Sequence, residues 1–260
     1  MSGNVGKMND PDASLFIQVS EITGSTQRGA IVDLVKDLKS NNLWSKMKAI
    51  YPFVGGTAAT HKWNLKDPRD ANAAFRLTFN GGWTHSSTGA DPNGTTAYAN
   101  TWFQPSTNES NTSAHRCIYL RENTDELKFD MADFTLNTLN NGSFILARSS
   151  NTFFGRITGD TNVTTANTDS KGFFIATRSD ASNTSIAKND AAFVTAAQAT
   201  RQSLNTNYTY IGASSNLANG DWFSSREVAF ASIGEGFSQT ESRLLYAIVQ
   251  KYQTTLGRQV

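Results

Sequence analysis

The 260-residue sequence contains a single cysteine, Cys117, and this scarcity excludes two kinds of stabilisation. A lone thiol cannot form an intramolecular disulfide, and it cannot build a cysteine-rich metal site. Cys117 stands in the apolar-rich run from Arg116 to Leu120, where a small buried thiol is more usual than a reactive nucleophile. We therefore predict that Cys117 is buried and that stability comes from packing, aided by oligomerisation.

Charge of either sign is also sparse. Only 17% of the residues are charged, and 23 Lys and Arg against 22 Asp and Glu leave a net charge of +1. Such a balance provides no excess of positive charge to attract nucleic acid or an anionic membrane. No stretch approaches the ~18 consecutive apolar residues of a membrane span, and the amino terminus lacks the apolar segment of a secretory signal. We expect neither nucleic acid nor membrane among the partners.

The common signatures of catalysis and metal binding are missing as well. None of the three histidines, His61, His85 and His115, has a partner histidine at metal-ligand spacing. Acidic residues cluster between Glu122 and Asp133, but their spacing does not match the paired carboxylates of a glycosidase. We interpret this cluster as a solvated turn and strand edge, and we predict no catalytic residue, metal or cofactor. The alternative function, that of a polysaccharide hydrolase, would require some of these carboxylates to be catalytic.

What the first 55 residues do contain is the pattern of helices. Asp10 is placed to cap a helix that has Pro11 at its first position. Apolar residues from Ile31 to Leu38 then recur at i, i+3, i+4 and i+7, the spacing of an amphipathic helix. A further short helix is expected at residues 43–51. The sequence thus predicts a helical lead-in over residues 1–55 that packs on the rest of the chain or on a neighbouring subunit.

From about residue 56 the apolar pattern changes to short aromatic and β-branched runs, separated by Gly, Asn, Asp and Pro. Many such runs without helices between them favour two packed antiparallel sheets. Residues 190–203 are expected to hold a helical turn or a long loop. Ser238 and Glu241 have the spacing of a capping box before a final amphipathic helix. The predicted strands are residues 75–80, 97–103, 115–121, 126–131, 143–148, 153–158, 172–178, 184–188, 208–212 and 222–232.

Two regions of the sequence resemble a known family. The first is WSKMKAIYPFVGGTAATHKWNLKDPRD at residues 44–70, which leads into FNGGWTHSSTGA at residues 79–90. The second comprises AFASIGEG at residues 229–236 and QTTLGRQV at residues 253–260. Together they resemble bacteriophage structural and fibre proteins that carry a concanavalin-like, or laminin-G-like, domain. The resemblance implies an all-β, concanavalin-like antiparallel β-sandwich (jelly roll) over residues 56–260, with a short N-terminal helical segment and a C-terminal helix.

The same resemblance implies a virion structural protein, namely a tail, fibre or capsid-surface component that is assembled in the bacterial cytoplasm. Its partners would be other virion proteins and further copies of itself, and it would not be an enzyme. The alternative is a glycan-binding, lectin-like adhesin module for host attachment, in which aromatic side chains form a stacking platform. For that alternative the predicted ligand-binding residues are Trp83, His85 and Trp102, and the partner is a host surface glycan.

Overall fold

The computed structural model describes residues 10–133, 142–199, 203–216 and 219–260, which form an antiparallel β-sandwich of the jelly-roll class. The predicted fold class is therefore confirmed. Two sheets stack face to face, and helices cover the outer side of one of them. The helices are α1 (Pro11–Val19), α2 (Ser25–Ser40), α3 (Ala58–His61), α4 (Pro105–Asn108) and α5 (Gln239–Thr255).

The first sheet has the strand order β13-β12-β11-β6-β17-β4-β3, with β1 also paired to β17, and the second has the order β10-β9-β8-β7-β14-β5-β2. A separate hairpin joins β15 and β16. The strands are β1 (Met47–Tyr51), β2 (Thr78–Asn80), β3 (Trp83–His85), β4 (Ala90–Pro92), β5 (Tyr98–Asn100), β6 (Ala114–Leu120), β7 (Met131–Ala132), β8 (Phe144–Ser149), β9 (Thr152–Arg156), β10 (Val163–Ala166), β11 (Gly172–Arg178), β12 (Asn183–Lys188), β13 (Val194–Ala197), β14 (Tyr210–Ile211), β15 (Ser214–Asn216), β16 (Asn219–Asp221) and β17 (Val228–Gly234).

Local capping explains where the long helices begin. The Asp10 carboxylate accepts hydrogen bonds from the backbone amides of Asp12 and Ala13, at 3.0 and 3.3 Å, and so starts α1. Ser238 and Glu241 form the predicted capping box of α5, since each side chain accepts from the backbone amide of the other residue. Both helix starts that the sequence predicts from capping residues are confirmed.

The helix expected at residues 43–51 is wrong. A short 3-10 turn at Trp44–Lys46 is followed by β1, which pairs with β17 in the first sheet. Met47 and Ile50 pack under the helices, whereas Ala49 and Tyr51 pack between the sheets. A strand buried on both faces reads as a continuous apolar run, and periodicity cannot distinguish it from a buried helix. Residues 1–9 of the predicted lead-in over residues 1–55 lie outside the described residues, and within the remainder the helical part ends at Lys46.

Further local predictions need correction. The strand expected at residues 222–232 begins only at Val228 in β17, and the strand expected at residues 75–80 begins only at Thr78 in β2. Of the strand expected at residues 126–131, only its last residue is in β7, and Leu127 is 53% exposed. The stretch at residues 190–203 holds β13 at the edge of the first sheet, where a helical turn or a long loop was expected.

Two apolar layers hold the fold together. One lies between the sheets and is filled by alternate strand residues such as Ala99, Ile145 and Ile211. The other lies between the first sheet and helices α1, α2 and α5. Because the helices cover the first sheet, the second sheet carries the face of the sandwich that the helices leave open.

Candidate functional site

An open cleft lies at one end of the second sheet, where β5 ends and β14 begins. We call it the aromatic cleft, and its volume is about 370 Å³. Trp102 follows β5 by two residues and Tyr208 precedes β14 by two, so the antiparallel pairing of these strands brings the two rings together. Their centroids are 5.2 Å apart and their planes meet at 64°, an edge-to-face contact. The cleft is lined by Asn72, Ala73, Phe75, Trp102, Gln104, Asn108 and Tyr208.

The backbone at the cleft departs from ordinary geometry at two aromatic residues. Trp102 has φ of +59° and Phe75 has φ of +58°, in the left-handed region that bulky side chains rarely occupy. Hydrogen bonds hold both residues there: the Trp102 amide donates to Asn100 Oδ1 at 2.8 Å, and the Tyr51 hydroxyl donates to the Phe75 carbonyl at 2.7 Å. Other bulky residues of the described chain, namely Phe53, Thr158 and Trp222, share this backbone conformation, so it is not peculiar to the cleft.

The Trp102 ring is fixed in place as well. Its Nε1–H donates to Thr78 Oγ1 on β2 at 2.9 Å. The neighbouring Thr101 hydroxyl donates to the Thr209 carbonyl at 2.7 Å and thus ties the end of β5 to the start of β14. The indole is therefore positioned before any ligand arrives, which lowers the ordering entropy that binding would otherwise cost.

Side-chain amides border the aromatic rings. Asn72 lies in a 3-10 turn, Gln104 is the N-cap residue of the short helix α4, and Asn108 is the last residue of that helix. The Asn72 side-chain amide nitrogen and Asn108 Oδ1 make no hydrogen bond to the residues that the structure describes. None of the residues that line the cleft is charged. The arrangement offers stacking surfaces and neutral hydrogen-bonding groups.

The structure does not bring the three predicted ligand-binding residues into one site. Trp102 lies in the aromatic cleft, whereas Trp83 and His85 lie together on the edge strand β3, with ring centroids 6.3 Å apart. Phe79 packs edge-to-face against both of these rings from β2, at 5.3 Å from Trp83 and 4.6 Å from His85. Trp83 joins the apolar layer between the sheets.

His85 is paired with a second histidine, His61. His61 Nδ1 lies 3.0 Å from His85 Nδ1, and the Gly56 amide donates to His61 Nε2 at 3.1 Å. His61 is buried, and that burial, together with the neighbouring His85 and Arg258, lowers its pKa to about 3. His61 is therefore neutral at physiological pH and donates from Nδ1 to His85. These contacts give His85 a structural role at the sheet edge.

Sequence reasoning missed most of the aromatic cleft. Tyr208 and Tyr210 alternate with polar residues, and this period of two is a signal that places both rings on one sheet face. Phe75, Gln104 and Asn108 give no comparable signal, because their roles depend on turns whose geometry the sequence pattern does not reveal.

The described residues contain no cluster of three or more His, Cys, Asp or Glu side chains that could hold a metal ion. Among the same residues, no helix is long and apolar enough to cross a membrane.

No known protein family and no curated protein sequence matches this chain. Solved structures do match in fold. Domain 4 of the extracellular arabinanase AbnA from Geobacillus stearothermophilus, solved with arabinotriose, is 10% identical, with a TM-score of 0.52 over 77% of this chain and 98% of that domain. The Ruminococcus gnavus IT-sialidase module CBM40, bound to α2,3-sialyllactose, is 8% identical, with a TM-score of 0.41 over 53% of this chain and 82% of the module.

A third match is the Trypanosoma rangeli sialidase, which is 11% identical, with a TM-score of 0.49 over 84% of this chain and 39% of that protein. At such low identities, the match to the arabinanase domain shows a shared β-sandwich fold and nothing about function. The resemblance to phage structural proteins is not tested by these matches and stays a prediction.

Proposed function

We propose that this protein binds a glycan, and that the aromatic cleft is the binding site. The observation that carries the proposal is the rigid pair of rings, Trp102 and Tyr208, in an open cleft bordered by the amides of Asn72, Gln104 and Asn108. The apolar face of a sugar ring packs on aromatic side chains, while its hydroxyl groups bond to neutral polar groups. A volume of about 370 Å³ lies within the usual range of ligand pockets.

The charge of the cleft favours a neutral glycan. No cationic side chain lines it to pair with a carboxylate sugar, and no acidic side chain lines it to pair with an amino sugar. The arabinanase domain of the same fold was solved with arabinotriose, a neutral oligosaccharide. That domain supports the choice of arabinotriose as the first probe for this chain.

Isothermal titration calorimetry with arabinotriose and a panel of other neutral oligosaccharides tests the proposal. We expect Trp102→Ala and Tyr208→Ala each to weaken binding at least about tenfold, equivalent to about 1.4 kcal/mol, because each removes one stacking surface. The measurement is the dissociation constant of the tightest-binding member of the panel.

Tyr246→Ala provides the matched control. This residue is also a partly buried aromatic, but it lies on α5 and packs against Phe173 of the first sheet. It should leave affinity unchanged. Absence of binding across the panel, or an equal loss in the control variant, would reject the cleft as a glycan site.

The assembly role in a phage particle is a separate proposal, and it rests on the sequence resemblance. It is compatible with glycan binding, because a fibre or capsid-surface protein can contact host glycans through one face and other virion proteins through another. Co-sedimentation of the protein with particles, together with its oligomeric state in solution, would test this role. The absence of enzymatic activity likewise stays a prediction.

A further inference from the structure

A buried group of three charged residues adjoins the aromatic cleft, since one of them, Glu109, directly follows Asn108 in the cleft wall. Arg116 on β6 contacts two carboxylates through the same nitrogen: Nη2 lies 2.6 Å from Glu109 Oε2 and 2.9 Å from Asp133 Oδ2. The side chains of all three residues are at most 1% exposed. We call this group the buried triad. With both acids ionised it holds two negative charges against one positive charge in the protein interior, which is unfavourable.

The two carboxylates differ in the hydrogen bonds that they accept. Asp133 receives a hydrogen bond from Arg116 and another from the Ser143 amide, at 2.9 and 2.8 Å. Neither carboxylate oxygen of Glu109 receives an aligned hydrogen bond from the described residues, although Arg116 is close. Glu109 is therefore the member of the buried triad that is least stabilised in its ionised form.

The environment of Glu109 favours its neutral form. Burial raises the pKa of Glu109 to about 7; Arg116 opposes this rise and Asp133 adds to it. Burial also raises the pKa of Asp133, against the effect of Arg116. Two other charged residues, Lys48 and Glu235, line the small cavity beside Glu109 and pair with each other at 3.8 Å.

Glu109 is also the residue that ends α4, the helix that forms one wall of the aromatic cleft. Its amide donates to the Pro105 carbonyl at 3.1 Å, and the preceding residue, Asn108, lines the cleft. A second connection runs from α4 to the buried triad: the Ser106 amide donates to the Asn205 carbonyl, and the Asn205 side chain donates to the Asp133 carbonyl. A change in the triad therefore acts on α4 from two directions.

We infer that Glu109 is a positioning residue whose protonation holds α4 in place, so that its ionisation loosens this wall of the aromatic cleft and weakens ligand binding as pH rises through neutrality. The inference deepens the proposed function and depends on it for the effect on ligand. When Glu109 ionises, movement of α4 away from the buried triad relieves the repulsion between Glu109 and Asp133.

The sign of the pH effect on stability follows from the raised pKa. An acid whose pKa is raised from its ordinary value of 4.5 to about 7 by folding binds more protons in the folded than in the unfolded protein between these values. The contribution of Glu109 to stability is therefore favourable in acid and is lost as pH rises from about 4.5 to about 7. An ordinary salt bridge, in which the carboxylate pKa is lowered, would give the opposite trend.

Glu109→Gln, which keeps the shape and removes the charge, is the first variant to test in the full chain. Between pH 5 and pH 8.5 we expect the folding equilibrium constant of the wild type to fall about tenfold or more relative to this variant. The variant should be more stable than the wild type at pH 8.5. Equal destabilisation at both pH values would show that Glu109 is a simple salt-bridge partner and would overturn the inference.

Hydrogen exchange tests the movement of α4 without any ligand. The reporters are the amides of Ser106, Thr107, Asn108 and Glu109, all of which are hydrogen-bonded. Their protection factors should fall between pH 5 and pH 8.5 in the wild type and stay constant in Glu109→Gln. Identical pH profiles in the two proteins would contradict the inference, even if glycan binding were established.

Two additional variants sharpen the test. Asp133→Asn leaves Glu109 alone with Arg116, so the pH transition should move towards acid. Glu235→Gln is the matched control, because it removes a half-exposed carboxylate from the rim of the neighbouring cavity, and it should keep the wild-type profile.

The ligand readout is the affinity for arabinotriose at pH 5.5 and 8.5. It should fall with pH in the wild type but not in Glu109→Gln. If arabinotriose binds with the same pH dependence in both proteins, the inference fails while the proposed function stands. If it binds neither protein, the proposed function fails for this ligand, and hydrogen exchange alone decides whether Glu109 controls α4.

Discussion

A second buried ion pair allows a quantitative prediction about stability. Asp130 and Arg226 have fully buried side chains, and Arg226 Nη1 lies 2.9 and 3.0 Å from the two carboxylate oxygens of Asp130. The carboxylate also accepts from the Ala147 amide at 2.7 Å and from the Ser224 hydroxyl at 2.8 Å. Loss of Asp130 would leave the buried guanidinium with only the more distant Glu126 carboxylate, 3.8 Å from Nη1, and would leave the Ala147 amide without this acceptor.

We expect Asp130→Ala to lower the free energy of unfolding by about 3–5 kcal/mol, the range measured when one partner of a buried pair is removed. A typical domain has a total stability of about 5–15 kcal/mol, so the variant should lose a large fraction of it. For a protein of this size, the melting temperature should fall by roughly 10 °C. Urea unfolding followed by circular dichroism measures the first quantity, and calorimetry measures the second.

A double-mutant cycle with Arg226→Met isolates the pairwise interaction. Because the double variant contains no buried charge at this site, it should be less destabilised than the sum of the two single variants. Asp37→Ala provides the control, since Asp37 pairs with Lys251 at 2.6 Å on the surface and should contribute under about 1 kcal/mol. A loss below about 1 kcal/mol in Asp130→Ala would refute the argument from burial.

Two smaller predictions concern packing. A Cβ atom added at Gly236 would lie 1.8 Å from the Arg178 carbonyl oxygen, so Gly236→Ala should lower the free energy of unfolding in urea by about 1–3 kcal/mol. Gly29 lies in open space on α2, so Gly29→Ala should be neutral or slightly stabilising. Equal effects of the two variants would contradict this account. The Cys117 thiol is buried, as the sequence predicts, and burial raises its pKa to about 12. A thiol reagent at pH 8 should therefore modify Cys117 in urea but not in the native protein. Rapid modification of the native protein would show that the thiol is accessible.

The sequence predicted those elements whose evidence is local. The capping residues Asp10 and Ser238 mark helix starts because their hydrogen bonds reach only two or three residues along the chain. The long strands β6 and β11 were predicted with an error of a residue at most, since their apolar content is continuous. Strand β1 was predicted as a helix because both of its faces are buried, and a short apolar run does not reveal its period.

The buried charges could not be predicted from local patterns. Asp130 and Asp133 belong to the acidic cluster that the sequence suggested was solvated, yet both are completely buried. Asp130 is buried because Arg226, 96 residues away, supplies the opposite charge, and Asp133 is buried with Arg116 on another strand. The interpretation of the cluster as a solvated turn is therefore wrong for these two residues. Burial of a carboxylate can be predicted only when its cationic partner is known, and that partner is determined by the fold.

The aromatic cleft gathers two kinds of unfavourable structure at one end of the sandwich. Trp102 and Phe75 occupy the left-handed backbone region, and the buried triad behind α4 carries an excess carboxylate. Each feature costs stability. A sequence under selection for stability alone would replace Glu109 by an uncharged residue and relax the backbone at Trp102. The proposed binding site thus lies beside two features that cost stability, and Glu109→Gln tests whether the buried charge serves binding.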